Sequence, residues 1–352
     1  MSNNRVLFIL KRRHDYDKNK HSQFGMSTGL FNSAWYMHEM LERNGVESKL
    51  VVVADNNEID REVHKYKPTH VIIEALWVVP EKFEVLQRLH PKVLWIIRLH
   101  SDTPFIANEG IAMDWLGDYA KLENVYVAVN SPRIYNELET YFENVSECKC
   151  EKLQSKVIYL PNYYPQIYRK KWFDTDKDCI NIGCFGAVRP MKNHLIQAMA
   201  AIKFADSIGK KLRFHINSGR VEQRGDTVLN NLKNLFAQIH NSGHKLINHG
   251  WMPRNEFLDL CSKMDIGLQV SFSETFNIVL ADLITQGVPV IGSTEIPWLG
   301  WAYKANPTNS NDIYRRLLVT YYFPKVNTFV NQKLLHIYTE KTEKIWLNYF
   351  KK

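Results

Sequence analysis

Short, unbroken apolar runs recur along this chain, and stretches with helical spacing separate most of them. In the first half such runs lie within residues 6–10 (VLFIL), 49–53, 69–75, 93–99 and 125–129. A run this short and without polar alternation reads as a strand buried on both faces. Buried strands alternating with helices imply a parallel sheet covered on both sides. Over residues 29–44, Leu30, Ala34, Trp35, His38 and Leu41 fall near one helical face, and Gly45 marks the stop. A further short strand, residues 157–160, precedes Pro161 and Asn162.

The polar, aromatic stretch 163–178 reads as a linker, after which the pattern restarts. Strands are expected at 179–185, 212–216, 245–248, 266–270 and 289–292. Helices are expected at 193–207, 227–241, 257–263 and 276–285. The fold class is therefore α/β, with two doubly wound, Rossmann-like parallel-sheet domains, and a length of 352 residues suits two domains. In open sheets of this kind ligands bind outside the carboxyl ends of the strands. Two such domains facing a central cleft would hold a site between them.

Composition narrows the class. With 45% hydrophobic and 23% charged residues, the chain is neither disordered, collagen-like nor coiled-coil. The run at 6–10 ends in Lys11, Arg12 and Arg13, and residues 70–80 include Glu74, so neither reaches the ~20 apolar residues of a spanning helix. Neither resembles a cleaved signal peptide, and a cytoplasmic protein without integral membrane association is expected. Five cysteines make no disulfide framework, and Cys148 and Cys150 lack a second pair at zinc spacing. Asp174 and Asp176 match a D-x-D pattern but sit in the charged linker rather than after a buried strand, so no metal site is expected.

The most informative stretch is residues 271–293, SFSETFNIVLADLITQGVPVIGS. It reads as strand, loop, helix and return strand. Ser273 or Thr275 is expected to cap the helix, leaving the amides of Thr275, Phe276 and Asn277 as an anion site at its positive end. Glu274 and Asp282 would lie two turns apart on one side, able to accept bonds from the hydroxyls of a sugar and a ribose. In residues 181–194, NIGCFGAVRPMKNH, a buried strand ends near Gly186, and Arg189 and Lys192 project from the loop beyond it. Two cations there can neutralise a diphosphate leaving group.

Together these segments, with His249-Gly250-Trp251-Met252-Pro253, resemble the retaining GT-B glycosyltransferases that use nucleotide-sugar donors and carry an E-x7-E motif. The second acid of the motif is Asp282 here. The resemblance implies that Arg189 and Lys192 contact the donor diphosphate, that Glu274 lies near the donor sugar and that Asp282 takes the ribose hydroxyls. It places the backbone around Gly250 and Trp251 near the base, implies catalysis without a bound metal or cofactor, and makes a UDP-linked sugar the expected donor. It also implies that a final helix, residues 334–350, crosses back to the first domain. The expected division is thus 1–164, a linker at 165–178, a donor domain at 179–325 and a returning segment at 326–352.

In the first half, the loop FGMSTG at 24–29 includes Gly25, where the backbone can approach donor phosphates. His100 follows the fourth strand and resembles a histidine that related enzymes place near the donor sugar; a structural histidine is the alternative.

The acceptor is read from charge. The chain carries a net charge of +8, and residues 11–21 hold five basic and two acidic side chains. Lys11, Arg12 and Arg13 at a strand's carboxyl end suit a polyanion, and Arg169, Lys170 and Lys171 are interleaved with Tyr168 and Trp172. These cations could equally face solvent or the donor. By analogy with phage enzymes that glycosylate hydroxymethylated pyrimidines, the expected acceptor is such a base in DNA. A surface polysaccharide or lipid-linked glycan, and a catalytically silent nucleic-acid-binding protein on the same scaffold, remain alternatives.

Overall fold

A computed structural model describes residues 4–12, 28–145, 155–169, 171 and 178–351. The chain divides into two compact units. The first comprises the described residues up to Arg12, Thr28–Pro165 and the chain from Thr339; the second comprises Gln166–Tyr338.

The strands of the first unit are β1 (Arg5–Lys11), β2 (Glu47–Val53), β3 (His70–Glu74), β4 (Leu94–Arg98), β5 (Val125–Val129) and β6 (Val157–Tyr159). They form one parallel sheet in the order β2-β1-β3-β4-β5-β6. Successive side chains of a strand point to opposite faces, and both faces are buried here. Leu7, Ile9, Val71, Ile73, Trp95, Ile97 and Val127 pack into one core with Phe83, Leu116 and Tyr119. Val6, Phe8, Ile72, Ile96 and Ala128 pack into another with Met37, Leu41, Trp346 and Phe350. The unbroken apolar runs arise from this two-sided burial.

The second unit repeats the plan with β7 (Cys179–Gly183), β8 (Lys211–Asn217), β9 (Lys245–His249), β10 (Ile266–Gln269), β11 (Val290–Ser293) and β12 (Lys304–Ala305). Its parallel sheet runs β12-β11-β10-β7-β8-β9. Ile180, Ile182, Phe214, Ile216, Leu268 and Ile291 are the centre of its core.

The last helix, Pro324–Phe350, begins earlier than the spacing over 334–350 indicates. Proline suits a first helical position because the missing N–H has no intrahelical partner there. The early turns bury amides rather than aliphatics: Asn327 exchanges hydrogen bonds with the backbone of Val290, and Asn331 Oδ1 accepts from the Gly300 amide. Hydrophobic periodicity cannot register such positions.

Candidate active site

At the carboxyl end of the second sheet the chain leaves β7 through Gly186, whose φ of +108° lies where side-chain-bearing residues are strained. The Gly186 amide donates to Asn217 Oδ1 at 2.7 Å. Arg189 opens a single 3-10 turn, Pro190–Lys192. Asn193, at φ +58°, redirects the chain into the helix His194–Ser207. The Asn193 side chain fixes this turn by donating to the carbonyls of Val270 and Pro307 at 2.9 and 2.8 Å. The segment R-P-M-K-N-H thus holds two cations in one tight turn.

Each cation meets a carboxylate. Lys192 Nζ donates to Glu274 Oε1, and both side chains are largely buried. Arg189 faces Glu222 at 3.5 Å. Glu222 also accepts from Arg220 Nε at 2.6 Å, and the Arg220 guanidinium lies 5.5 Å from the centre of the Trp251 ring. A Cβ on Gly219 would stand 2.3 Å from the Trp251 amide nitrogen, so the 219 and 251 backbones approach as only glycine allows. Glu222 and Arg220 escaped the sequence reading. Their signal was faint, two opposite charges flanking Val221, which bridges Val188.

The stretch after β10 departs from expectation. Its helix is Ile278–Thr285, and its cap is Asn277, not Ser273 or Thr275. Asn277 sits at φ +57° and its Oδ1 accepts from the Leu280 amide at 2.9 Å. Asparagine enters this left-handed region more readily than serine or threonine, so the helix starts later than predicted. Thr275, Phe276 and Asn277 therefore precede the first helical turn. Glu274 lies in the loop four residues before this helix. Asp282 alone is helical, almost fully buried, and accepts from Arg254 Nη2 at 2.5 Å. Arg254, the first residue of the helix Arg254–Ser262, was likewise not anticipated. A Cβ on Gly186 would lie 4.0 Å from both Lys192 Cε and Val279 Cγ2, so the cationic turn and the start of the helix Ile278–Thr285 meet at this glycine.

Two histidine sites border this region. His194 is buried, its Nδ1 has no hydrogen-bond partner, and burial, then Lys192 and Arg189, pull its imidazole down to about 3. It adds no positive charge beside the two cations near neutral pH. His215 and His249 stack at 5.2 Å between ring centres, with Nδ1 of the first 2.9 Å from Nε2 of the second. This contact anchors the strand that leads into Gly250 and Trp251.

In the first unit, β3 and β4 end in Glu74 and Arg98, which pair in register. Both side chains are fully buried, with Arg98 Nη1 3.1 Å from Glu74 Oε1. Nη2 of Arg98 donates to Asn162 Oδ1, and the guanidinium lies 5.1 Å from the Trp346 ring centre. His100 Nε2 meets the other Glu74 oxygen. Burial pushes the Glu74 carboxyl up, but Arg98 and His100 outweigh it and hold the group below the usual carboxylate range. Burial draws His100 down against the pull of Glu74. The histidine expected at this strand end thus belongs to a buried network.

Lys11 ends β1, with Nζ 5.9 Å from the Trp77 ring centre, and the Arg12 amide donates to the Val53 carbonyl at 2.6 Å. Arg13, Gly25, Cys148, Cys150, Lys170, Trp172, Asp174 and Asp176 lie outside the described residues. Among the described residues no group of three or more His, Cys, Asp or Glu is placed to hold a metal ion.

No family model and no curated protein matches this sequence. Solved structures do match. An E. coli trehalose-6-phosphate structure bound with UDP-2-fluoro glucose aligns over 99% of both chains, with a TM-score of 0.71 and 9% identity. The pneumococcal O-GlcNAc transferase GtfA, in complex with UDP and GlcNAc, aligns over 99% of both chains at a TM-score of 0.63 and 10% identity. A variant of S. aureus TarM, with fondaparinux, alpha-GlcNAc-glycerol and UDP, aligns over 83% of this chain at a TM-score of 0.61 and 13% identity, and this chain spans only 58% of that one. The chain has the GT-B fold. In this GT-B chain Gly186, Arg189 and Lys192 follow β7, Glu274 follows β10, and Asp282 lies on the helix between β10 and β11.

Proposed function

We propose that the chain is a glycosyltransferase that takes its sugar from a UDP-linked donor and transfers it with retention. The observation that carries this reading is the meeting of the Arg189–Lys192 turn, Gly186 and the Glu274–Asp282 stretch at the carboxyl end of the second sheet. Strand ends of this kind are where open α/β sheets take ligands. The three structures above, each named with UDP or a UDP-sugar, support the donor class.

Lys192 and Arg189 neutralise the diphosphate as its bond to the anomeric carbon breaks, the point at which negative charge grows most. The acceptor hydroxyl attacks the same face, a new C–O bond forms, and the hydroxyl proton passes to a diphosphate oxygen. Glu274 holds Lys192 and lies near the sugar; Asp282, through or beside Arg254, serves the ribose. Gly250 and Trp251 form the base side. In the first unit His100 is held by Glu74. No step calls on a metal or cofactor.

The acceptor proposed is a hydroxymethylated pyrimidine in DNA. Its support is the net charge of +8 and the cations Lys11, Arg12 and Arg13 following the first strand. A second reading, transfer to a non-DNA acceptor, draws on two of these neighbours, one named for trehalose-6-phosphate and one as an O-GlcNAc transferase. Mass analysis of nucleosides in DNA from cells making the protein, beside a panel of donors in vitro, separates the two. A hexose- or pentose-sized gain on a hydroxymethylated base supports DNA; donor consumption with unmodified DNA supports the second reading.

A further inference from the structure

The end of the second unit carries a cationic, apolar face that none of the proposed chemistry uses. From residue 313 to residue 339 the chain has no Asp or Glu but has Arg315, Arg316, Lys325 and Lys333. Arg316 faces Asp312 at 3.8 Å, whereas Arg315, Lys325 and Lys333 are exposed.

Large apolar side chains are exposed among them. On the helix Ser310–Tyr322, Arg315, Val319 and Tyr322 are exposed at spacings that place them on one side. On the helix Pro324–Phe350, Val326, Phe329, Lys333 and Ile337 do the same. A single residue, Phe323, joins the two helices and is itself exposed. Trp301 sits beside them: the neighbouring Gly300 amide donates to Asn331 Oδ1, and the Ala302 carbonyl accepts from Arg316 Nη1, both at 2.9 Å. Trp301, Tyr322, Phe323, Val326 and Phe329 each expose between 51% and 80% of their surface. The packing of both helices uses other positions, Ile313, Leu317 and Thr320 on one and Asn327, Asn331 and Leu335 on the other. Single exposed apolar residues are ordinary; several gathered around one helix junction mark an interaction site.

We propose that this face docks on an anionic lipid surface. Aromatic side chains with apolar bodies and polar tips suit the boundary between headgroups and acyl chains, aliphatic ones enter the apolar layer, and flanking cations meet anionic headgroups. A second copy of this chain would bring two predominantly cationic faces together, and like charges across an interface disfavour it. A nucleic acid would engage the cations and rings but leave Val319, Val326 and Ile337 against phosphate. No described helix is long and apolar enough to cross a membrane.

The test is sedimentation of the full chain with vesicles of phosphatidylglycerol and phosphatidylcholine in equal parts, and with vesicles of phosphatidylcholine alone. No donor is added, so the outcome is independent of transferase activity. Binding to the anionic vesicles only is expected, and salt weakens it. Val326→Glu with Phe329→Glu lowers partitioning at least about tenfold, and Arg315→Ala, Lys325→Ala and Lys333→Ala lower it about fivefold each. Melting temperatures of these surface variants stay near wild type. No binding to either vesicle, or binding indifferent to the variants, overturns the proposal. So does a dimer that Phe329→Glu dissociates in the absence of vesicle binding, or retention on duplex DNA that Phe329→Glu abolishes in the absence of vesicle binding.

Discussion

Lys192 and Glu274, 82 residues apart in sequence, form an ion pair in which the ammonium donates to Oε1 and neither side chain is more than 12% exposed. The pair joins the turn after β7 to the loop after β10, the two segments on which the proposed donor site rests. Lys192→Ala removes charge stabilisation from the leaving diphosphate and also strands a buried carboxylate. Turnover is expected to fall about a hundredfold, some 3 kcal/mol in the barrier. Arg189→Ala is expected to act in the same direction. Steady-state kinetics with a saturating UDP-sugar check this, and turnover near wild type in both variants would place the donor elsewhere.

Asp282 and Arg254 allow a role in binding to be told from a role in folding. Arg254→Met leaves Asp282 buried and without its cation, an arrangement that costs about 3–5 kcal/mol in other proteins. A lower denaturant midpoint is expected for that variant. Asp282→Asn keeps the shape of the side chain but weakens its hold on a diol. If Asp282 serves the ribose, this variant loses the preference for UDP over its 2′-deoxy form, measured by competition. An unchanged preference would confine Asp282 to supporting Arg254.

Stability is expected to fall with acid through His194. Burial, reinforced by Lys192 and Arg189, holds its folded value at about 3, below the ordinary 6.5. Below about pH 6.5 the unfolded chain therefore binds a proton that the native chain refuses. The loss is about 1.4 kcal/mol per pH unit until the folded value is reached. Glu74 adds a loss of the same sign at lower pH, because its folded value is depressed: its contribution is complete above the unfolded carboxylate value and is lost as pH falls through the folded one. Urea unfolding at pH 7 and pH 5 should show a smaller difference for His194→Gln than for wild type. Equal differences would mean that His194 takes up its proton without cost in the native chain.

Much of the fold was legible because two-sided burial writes itself as unbroken apolar runs, and the strand expected at 125–129 coincides with β5. The less legible features depend on polar atoms turned inward. Glu74 and Arg98 close their apolar strands HVIIE and LWIIR with opposite charges, a pattern whose meaning appears only when the two strands lie in register. Asn277 reads as an ordinary helix residue until its left-handed backbone is seen. Asn327 and Asn331 interrupt the apolar spacing of the last helix because they bond to backbone rather than to aliphatic neighbours. Arg189, Lys192 and Glu274 stand out in the sequence because their neighbours carry a recognisable strand–loop–helix pattern; Arg254 and Glu222 lack one.

The proposed DNA acceptor makes a prediction about salt. Affinity for duplex DNA is expected to fall as salt rises, with a slope in log–log form of about −0.9 per neutralised phosphate. Replacing Lys11, Arg12 and Arg13 with alanine should flatten that slope and weaken all sequences alike, since phosphate contacts carry little sequence information. A salt titration of binding by wild type and the triple variant is the check. Absence of salt-sensitive binding by the wild type would favour the non-DNA acceptor.

The central claim is that the second unit binds a UDP-sugar through the turn that carries Arg189 and Lys192. The direct measurement is calorimetric titration of UDP into the full-length protein and into a variant carrying both Arg189→Ala and Lys192→Ala. Saturable binding of one UDP per chain, weakened at least about tenfold in the variant, is the predicted result. No binding by the wild type, or the same affinity in both proteins, would contradict the account.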